Sequence, residues 1–435
     1  MNTKTYGKRR ARLAQLMPDH SLALVHSGSE TTRNHDAGHA FRVDSSFWYL
    51  TGFDEPESWL IISKRKSEYE TSLYVPPKDK KLERWEGRRL GVREAVKLGC
   101  THTQSNARLA GQIGDWLKNT QCLFSFPHQP AAEAMIKPYL GVQGRREVYP
   151  EQWRSLGELV YRMRWIKDRE ELAQMRKAAS INALAHIQCM RQCRPGRFEY
   201  QLEAAHRYES LQHGALHQAY QPIVASGGNA CILHYTRNDG EMKDGDLVLV
   251  DAGCEYGYYA SDITRTFPVN GRFTPIQRDL YELVLLAQQH AIDLCRPGRT
   301  LDQMHKAARE CLTQGLLDMG LLSGGFAECM ENDALSAYYM HGTSHWLGLD
   351  VHDPSHYRSA DKPVELAPGA VLTVEPGLYF DNQKGTPREV RGMGIRIEDD
   401  LLVTKDEPEI LTVAAPKLPD DITAIIGCDS GRKRI

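Results

Sequence analysis

Short apolar runs broken by polar, Gly or Pro residues dominate the chain up to about residue 165, and longer helical periods take over after it. In the first part, Ser21–Val25, Phe47–Thr51, Trp59–Ser63 and Ser72–Val75 read as strands, and Asn106–Leu117 carries apolar residues at helical spacing. The aromatic string Phe47-Trp48-Tyr49-Leu50-Thr51-Gly52-Phe53 is core material by composition. Trp85 is not, because it stands among Arg84, Glu86, Arg88 and Arg89 beside Gly87; the pattern predicts a solvated loop, with a substrate or intersubunit contact as the second reading. Asp168, followed three residues on by Glu171, marks a helix start. Leu172, Met175, Ala179 and Ala183 then recur at helical period to about Met190. These patterns predict an α/β (α+β) chain with an N-terminal mixed domain over 1–165 and a larger domain over 166–435.

The second domain echoes itself. Cys193-Arg194-Pro195-Gly196-Arg197 recurs as Cys295-Arg296-Pro297-Gly298-Arg299, each copy following one helical stretch and preceding another. The helix before the second copy has Thr274 as its cap and Pro275 at its first position. Further on, Gly245–Gly253 resembles Gly369–Gly377, with Asp251 and Glu375 at the same step. Two echoes in the same order predict a duplicated helix–helix–strand unit. The second copy is longer, and the extra length is assigned to the His-rich stretch Met340–Asp353 and the Ser355–Lys362 loop behind it.

Acidic residues end apolar runs at four places in this duplicated region. Leu247–Val250 leads into Asp251, a reversal at Gly253–Gly257 follows, and Ile263–Phe267 returns, placing Asp262 nearly opposite Asp251. Glu375 and Glu398 repeat the arrangement around Val371–Val374 and Ile395–Ile397. Like charges about 5 Å apart on paired strands are destabilising unless a cation lies between them. Arg265 and Arg396 are too few to offset four carboxylates. Met340–Asp353 supplies His341, His345 and His352, interleaved with Gly342 and Gly348. Four carboxylates and an imidazole form an oxygen-rich set suited to two divalent ions, Mn²⁺ or similar, rather than to structural zinc. Two such ions about 3.5–4 Å apart activate water and stabilise an oxyanion, the apparatus of a hydrolase.

Bulk composition narrows the partners. With 54 basic and 56 acidic residues there is no polyelectrolyte signal, so neither nucleic acid nor an anionic membrane is expected. Hydrophobic residues at 41% and charged residues at 25% are ordinary globular values, and no apolar run reaches the roughly 18 residues of a membrane span. The basic N-terminus lacks a signal-peptide core. Ten cysteines without a Cys-x-x-Cys pair read as reduced thiols of a cytoplasmic protein. The tail from Ala414, ending in Gly431–Ile435, reads as a solvated end.

The motifs His341-Gly-Thr-Ser-His345-Trp-Leu-Gly-Leu-Asp-Val-His352, Val-Asp251-Ala-Gly, Asp262-Ile-Thr-Arg-Thr-Phe, Thr-Val-Glu375-Pro-Gly-Leu-Tyr379 and Gly-Ile-Arg396-Ile-Glu398-Asp resemble the metallopeptidases with the pita-bread fold, and within them the aminopeptidase P branch. The resemblance spans the chain, including Phe47–Phe53, Gly87–Gly91 and Cys231–Thr236. It implies Asp251, Asp262, His345, Glu375 and Glu398 as metal ligands, Asp262 and Glu398 bridging. It further implies His234, His341 and His352 around the substrate, and Arg396 in the site's charge network. Tyr220, Tyr379 and Trp85 would be substrate contacts, Trp85 reaching a neighbouring subunit of a homo-oligomer, a dimer or a tetramer. The implied reaction releases the first residue of peptides with proline in second position, with Glu375 as proton shuttle and His352 at the oxyanion. A prolidase limited to Xaa-Pro dipeptides is the alternative; a metal-free binding protein of the same fold is a more remote one. The arginine that the family carries shortly after His352 has no clear counterpart here, Arg358 and Lys362 standing in a different setting.

Overall fold

The computed structural model describes residues 2–140, 150–359, 361–382 and 386–428; Gly431–Ile435, the end of the expected tail, and Ala360 of the Ser355–Lys362 loop lie outside them. Two compact units divide the chain, Met1–Met163 and Arg164–Ile435.

The first unit is built on a six-stranded mixed sheet. In spatial order its strands are His102–Ser105, Glu68–Val75, Trp59–Arg65, Ser21–His26, Cys122–Ser125 and Gln152–Ser155. Ser21–His26 is buried along its whole length, as a central strand covered on both faces must be. Helix Leu109–Leu117 turns Leu109, Ile113 and Leu117 onto Leu22, Leu24 and Ile61 of the sheet. One expectation fails here: Phe47–Thr51 is not a strand but part of the helix Ser45–Thr51. The reason lies at its ends. Asp44 accepts from the Phe47 N–H at 2.8 Å, Gly52 closes the helix at φ 64°, and the carbonyls of Tyr49 and Leu50 accept from the buried guanidinium groups of Arg9 and Arg10. Capping outweighs the β propensity of the aromatic run. Trp85, expected on a loop, sits in the short helix Glu83–Glu86 and is 88% exposed.

In the second unit Asp168 caps the helix Arg169–Gln192 with a full capping box, Glu171 returning the bond. It packs on Glu199–Gln212, and the pair is echoed by Pro275–Asp293 and Leu301–Asp318. Each pair is followed by an antiparallel hairpin. Leu247–Ala252 pairs with Ile263–Pro268, and the same register continues through Cys254–Tyr256 against Tyr259–Ala260, closed by Gly257 and Tyr258 at positive φ. Val371–Val374 pairs with Asp399–Leu402, and that register continues from Gly377–Phe380 to Met393–Arg396. A shared core lies between helices and hairpins, with Val248, Val250, Leu372, Val374, Leu280 and Leu312 all buried.

Two further expectations are corrected by this unit. The His-rich stretch is no insertion: Thr343 and His345 run beside Val371–Glu375, where the first half has Ile223–Ser226 beside Leu247–Asp251. Most of the extra length precedes it, in the longer helix Leu301–Asp318 and the added helix Phe326–Glu331. The tail from Ala414 is also not simply solvated. Ala415 and Pro416 carbonyls accept from buried Arg265, Lys417 reaches Asp399 at 2.8 Å, and the helix Pro419–Ile425 buries Ile422. A fully buried guanidinium needs such acceptors, and the tail provides them.

Candidate metal centre

The two hairpins present their acids to one cavity of about 480 Å³. In the first, Asp251 stands opposite Thr264, so Asp262, two residues before Thr264, shares its face on the diagonal rather than facing it directly. In the second, extending the register one step from Val374 and Asp399 sets Glu375 directly against Glu398. The sequence pattern gave both pairs the same geometry; the hairpins differ by this two-residue offset. His345 is delivered between them by the strand-like run beside Val371–Glu375, with the Thr373 N–H donating to the His345 carbonyl at 2.9 Å and the Glu375 N–H to Thr343 at 2.8 Å.

His345 Nδ1 donates to the Trp346 carbonyl at 3.1 Å, which leaves Nε2 facing the acids. That nitrogen lies 3.5 Å from Asp262, 3.4 Å from Glu375 and 4.0 Å from Glu398. Asp262, His345 and Glu398 offer ligand atoms all within 4.8 Å of one another. The protonation energetics describe the same crowding. Burial, with Asp262, Glu375 and Asp251 adding to it, pushes Glu398 well above the carboxylate range, and Glu375 is raised to about 7, chiefly by burial. Burial also raises Asp251, against the pull of Arg396. For His345 burial works against the charged form, but Asp262 and Glu375 outweigh it and lift the ring to about 9. Buried acids held up by one another and a histidine drawn toward its cation are what a binding site for positive charge looks like. The donor set fits divalent metal.

The surrounding residues fix this core. Arg396 donates to Asp251 at 2.5 Å, to the Tyr379 hydroxyl at 2.8 Å and, through Nε, to Thr264 at 3.2 Å. The Thr264 hydroxyl in turn donates to Glu398 at 2.7 Å. His341 is held neutral, its pKa lowered to about 3 by burial and by Arg396; its Nδ1–H donates to the Gly342 carbonyl, so Nε2 accepts from the Tyr379 hydroxyl at 2.7 Å. Tyr379 therefore stands behind the cavity wall, 2% exposed, with its hydroxyl fully used. Tyr220 donates to Asp251 at 2.5 Å and also touches Asp262. His352 crosses His345 edge to face with ring centres 4.4 Å apart, and His234 lines the cavity beside Leu233 and Thr236. Trp85 belongs to the other unit. Arg265, weighed at first as a counter-charge, turns to the opposite side and pairs with Asp399 at 2.7 Å. Arg358 is exposed and lies 3.5 Å from Asp302.

Three contributors were not anticipated from sequence. Asp400 accepts from the Asp262 N–H at 3.0 Å, and the Glu398-Asp399-Asp400 run was its signal: alternate residues of a strand share a face. Arg164 and Lys167 clamp buried Asp353, next to His352, Lys167 at 3.2 Å. They straddle the domain boundary expected at residue 165.

Comparison with known proteins fits this geometry. The family described as aminopeptidase P, N-terminal domain, matches residues 6–124, and metallopeptidase family M24 matches residues 173–405. The chain belongs to metallopeptidase family M24. It is 43% identical over 418 residues to a Xaa-Pro aminopeptidase of Haemophilus influenzae, covering 96% of each chain, and 40% identical over 433 residues to one of Escherichia coli, covering 98% of each. Among solved structures, aminopeptidase P from E. coli with the inhibitor Pro-Leu superposes with a TM-score of 0.95 at 39% identity, covering 98% of each chain. Proline aminopeptidase P II from Yersinia pestis gives 0.95 at 40%, covering 99% of this chain and 100% of that one. The M24 unit thus has the pita-bread fold, and the chain is a metallopeptidase that works with divalent metal. No helix among the described residues is long and apolar enough to cross a membrane.

Proposed function

We propose that this M24 member is an aminopeptidase that removes the first residue from peptides whose second residue is proline. The observation that carries the reading is the convergence of four carboxylates and His345 on one cavity, ringed by His234, His341 and His352. Relatives across nearly the whole length bear the corresponding name. Asp251, Asp262, His345, Glu375 and Glu398 would hold two ions, Mn²⁺ by the hardness of the donor set. When bound, such a pair supplies Lewis acidity and an activated nucleophile.

The protein's own groups do the rest. A prolyl nitrogen has no N–H, so recognition cannot rest on gripping the scissile amide hydrogen. Leu233, Ile223 and Val351 offer an apolar wall for a pyrrolidine ring, with His234 beside them to hold the leaving prolyl portion. His352, neutral because burial and the neighbouring His345 lower its pKa, keeps an N–H to donate to a developing oxyanion. Glu375 is the group we assign to carry a proton from nucleophile to leaving nitrogen. Tyr220 borders both Asp251 and Asp262 and would meet substrate there. Arg396 and Tyr379 hold the charge network from behind. The exposed indole of Trp85 we read as a contact to a neighbouring subunit of a homo-oligomer acting in the cytoplasm.

The test is direct. Chelation should abolish cleavage of an Xaa-Pro-Yaa tripeptide and Mn²⁺ should restore it, with the free first residue as product. Turnover of Xaa-Pro dipeptides alone would make the chain a prolidase. An inert protein with a full metal complement would end the peptidase reading.

A further inference from the structure

Residues 232–240 carry Leu233, His234 and Thr236 to the cavity, yet they form neither helix nor strand. Their backbone bonds to the rest of the chain are few: within the turn, Ile232 donates to Asn229 and Tyr235 to Ile232, and Gly240 accepts from Glu199. What gathers the segment is one buried carboxylate, that of Glu199, at the start of helix Glu199–Gln212. Its Oε1 accepts from the Ser226 N–H at 2.7 Å, the Ser226 hydroxyl at 2.8 Å and the Asn229 amide at 3.0 Å. Its Oε2 accepts from the Tyr235 hydroxyl at 2.9 Å and the Gly240 N–H at 2.7 Å. Five donors, three from Ser226 and Asn229 just ahead of the segment and two from Tyr235 and Gly240 within it, thus meet on two oxygens. The fit is close, since a Cβ on Gly240 would lie 2.8 Å from Oε2. Asn238, at φ 49°, adds a second tie by donating to the Pro222 carbonyl at 2.9 Å and accepting from the Val224 N–H at 3.0 Å.

We infer that Glu199 is a positioning residue for the substrate cavity: it touches neither substrate nor ligand set, and sets where His234 and its apolar neighbours stand. The inference rests on the aminopeptidase reading for its consequence, because His234 and Leu233 face the prolyl side of the cavity. A carboxylate is needed because no neutral side chain accepts at both oxygens; in Glu199→Gln the amide NH₂ would meet donors at one end. A shift of the segment by a fraction of an ångström acts on substrate fit and leaves the ligands on the two hairpins in place.

Glu199→Gln and Tyr235→Phe test this. Glu199→Gln should raise KM for Xaa-Pro-Yaa by about tenfold and change kcat by less than about threefold, with metal content unchanged. Tyr235→Phe, which removes one donor of the five, should raise KM by about threefold. Independently of activity, hydrogen–deuterium exchange of the metal-free chain should rise across residues 232–240 in Glu199→Gln and stay constant in Leu247–Ala252 and Val371–Val374. Unchanged exchange in that segment, or unchanged KM in both variants, overturns the positioning role. A loss of activity that follows loss of metal overturns it too. If Glu199→Gln does not fold, Tyr235→Phe decides by the same two readouts. Wild-type protein inactive on Xaa-Pro-Yaa would instead remove the aminopeptidase reading, and exchange alone would then judge the role of Glu199.

Discussion

Arg396 shows how much a single side chain does at this centre. Its guanidinium reaches Asp251, Tyr379 and Thr264 in one plane, a geometry that lysine cannot reproduce. Arg396→Ala should therefore weaken metal binding by about 10–100-fold, read by titrating metal into the stripped protein, and Arg396→Lys should recover only part of it. Affinity within twofold of wild type would show that the guanidinium is a bystander. The five candidate ligands were legible in the sequence because each is an acid or histidine where an apolar run stops, and strand chemistry makes such a residue conspicuous. The setting of Tyr379 was not legible, for the opposite reason. Its neighbours His341 and Arg396 lie 38 and 17 residues away, so nothing local tells that its hydroxyl is already engaged.

Among elements, the stretch around His352 is held from outside itself. Asp353 is buried with both Arg164 and Lys167, two cations from the start of the second unit. Asp353→Asn leaves Lys167 without that carboxylate and Arg164 with Asp350 at 2.6 Å, and should cost about 3–5 kcal/mol in denaturant unfolding, because buried charge that loses its counter-charge is expensive. Less than about 1 kcal/mol would mean that water or Asp350 compensates. The hairpins were readable as strands, and the duplicated unit from its two echoes. The helix Ser45–Thr51 was not, although Asp44 and Gly52 were in plain view; an aromatic run was weighed above its caps. The diagonal offset in the first hairpin was equally hidden, since register depends on where Gly257 and Tyr258 turn the chain.

For the molecule as a whole, metal and protons should act on stability separately. An ion that binds only the folded second unit stabilises it by about 2.7 kcal/mol at a hundredfold excess over its Kd. Mn²⁺ should accordingly raise the melting transition of Arg164–Ile435 and leave that of Met1–Met163 where it is, as calorimetry with and without chelator would show; equal shifts in both would refute independent units. Protons act through His206, which burial holds down to about 4, and its ring neighbour His186, lowered further for the same reason. A histidine with a depressed folded pKa contributes fully above about 6.5, and its contribution fades as pH falls toward 4, on the order of 3 kcal/mol for His206 alone. Urea titrations from pH 7 to 4.5 should lose stability more gently in His206→Gln than in wild type; parallel curves would assign the loss to the carboxylates.

The two hairpins also carry a quieter consequence. If one is laid over the other by register, Asp262 falls on Arg396 and Thr264 on Glu398. Duplication therefore left the cradle lopsided: at one end Asp251 already shares its oxygen with a fixed guanidinium, while at the other Glu375 meets the imidazoles of His345 and His341 and the Thr373 hydroxyl. A cation drawn to the cradle would therefore meet a fixed guanidinium at the Asp251 end and titratable imidazoles at the Glu375 end.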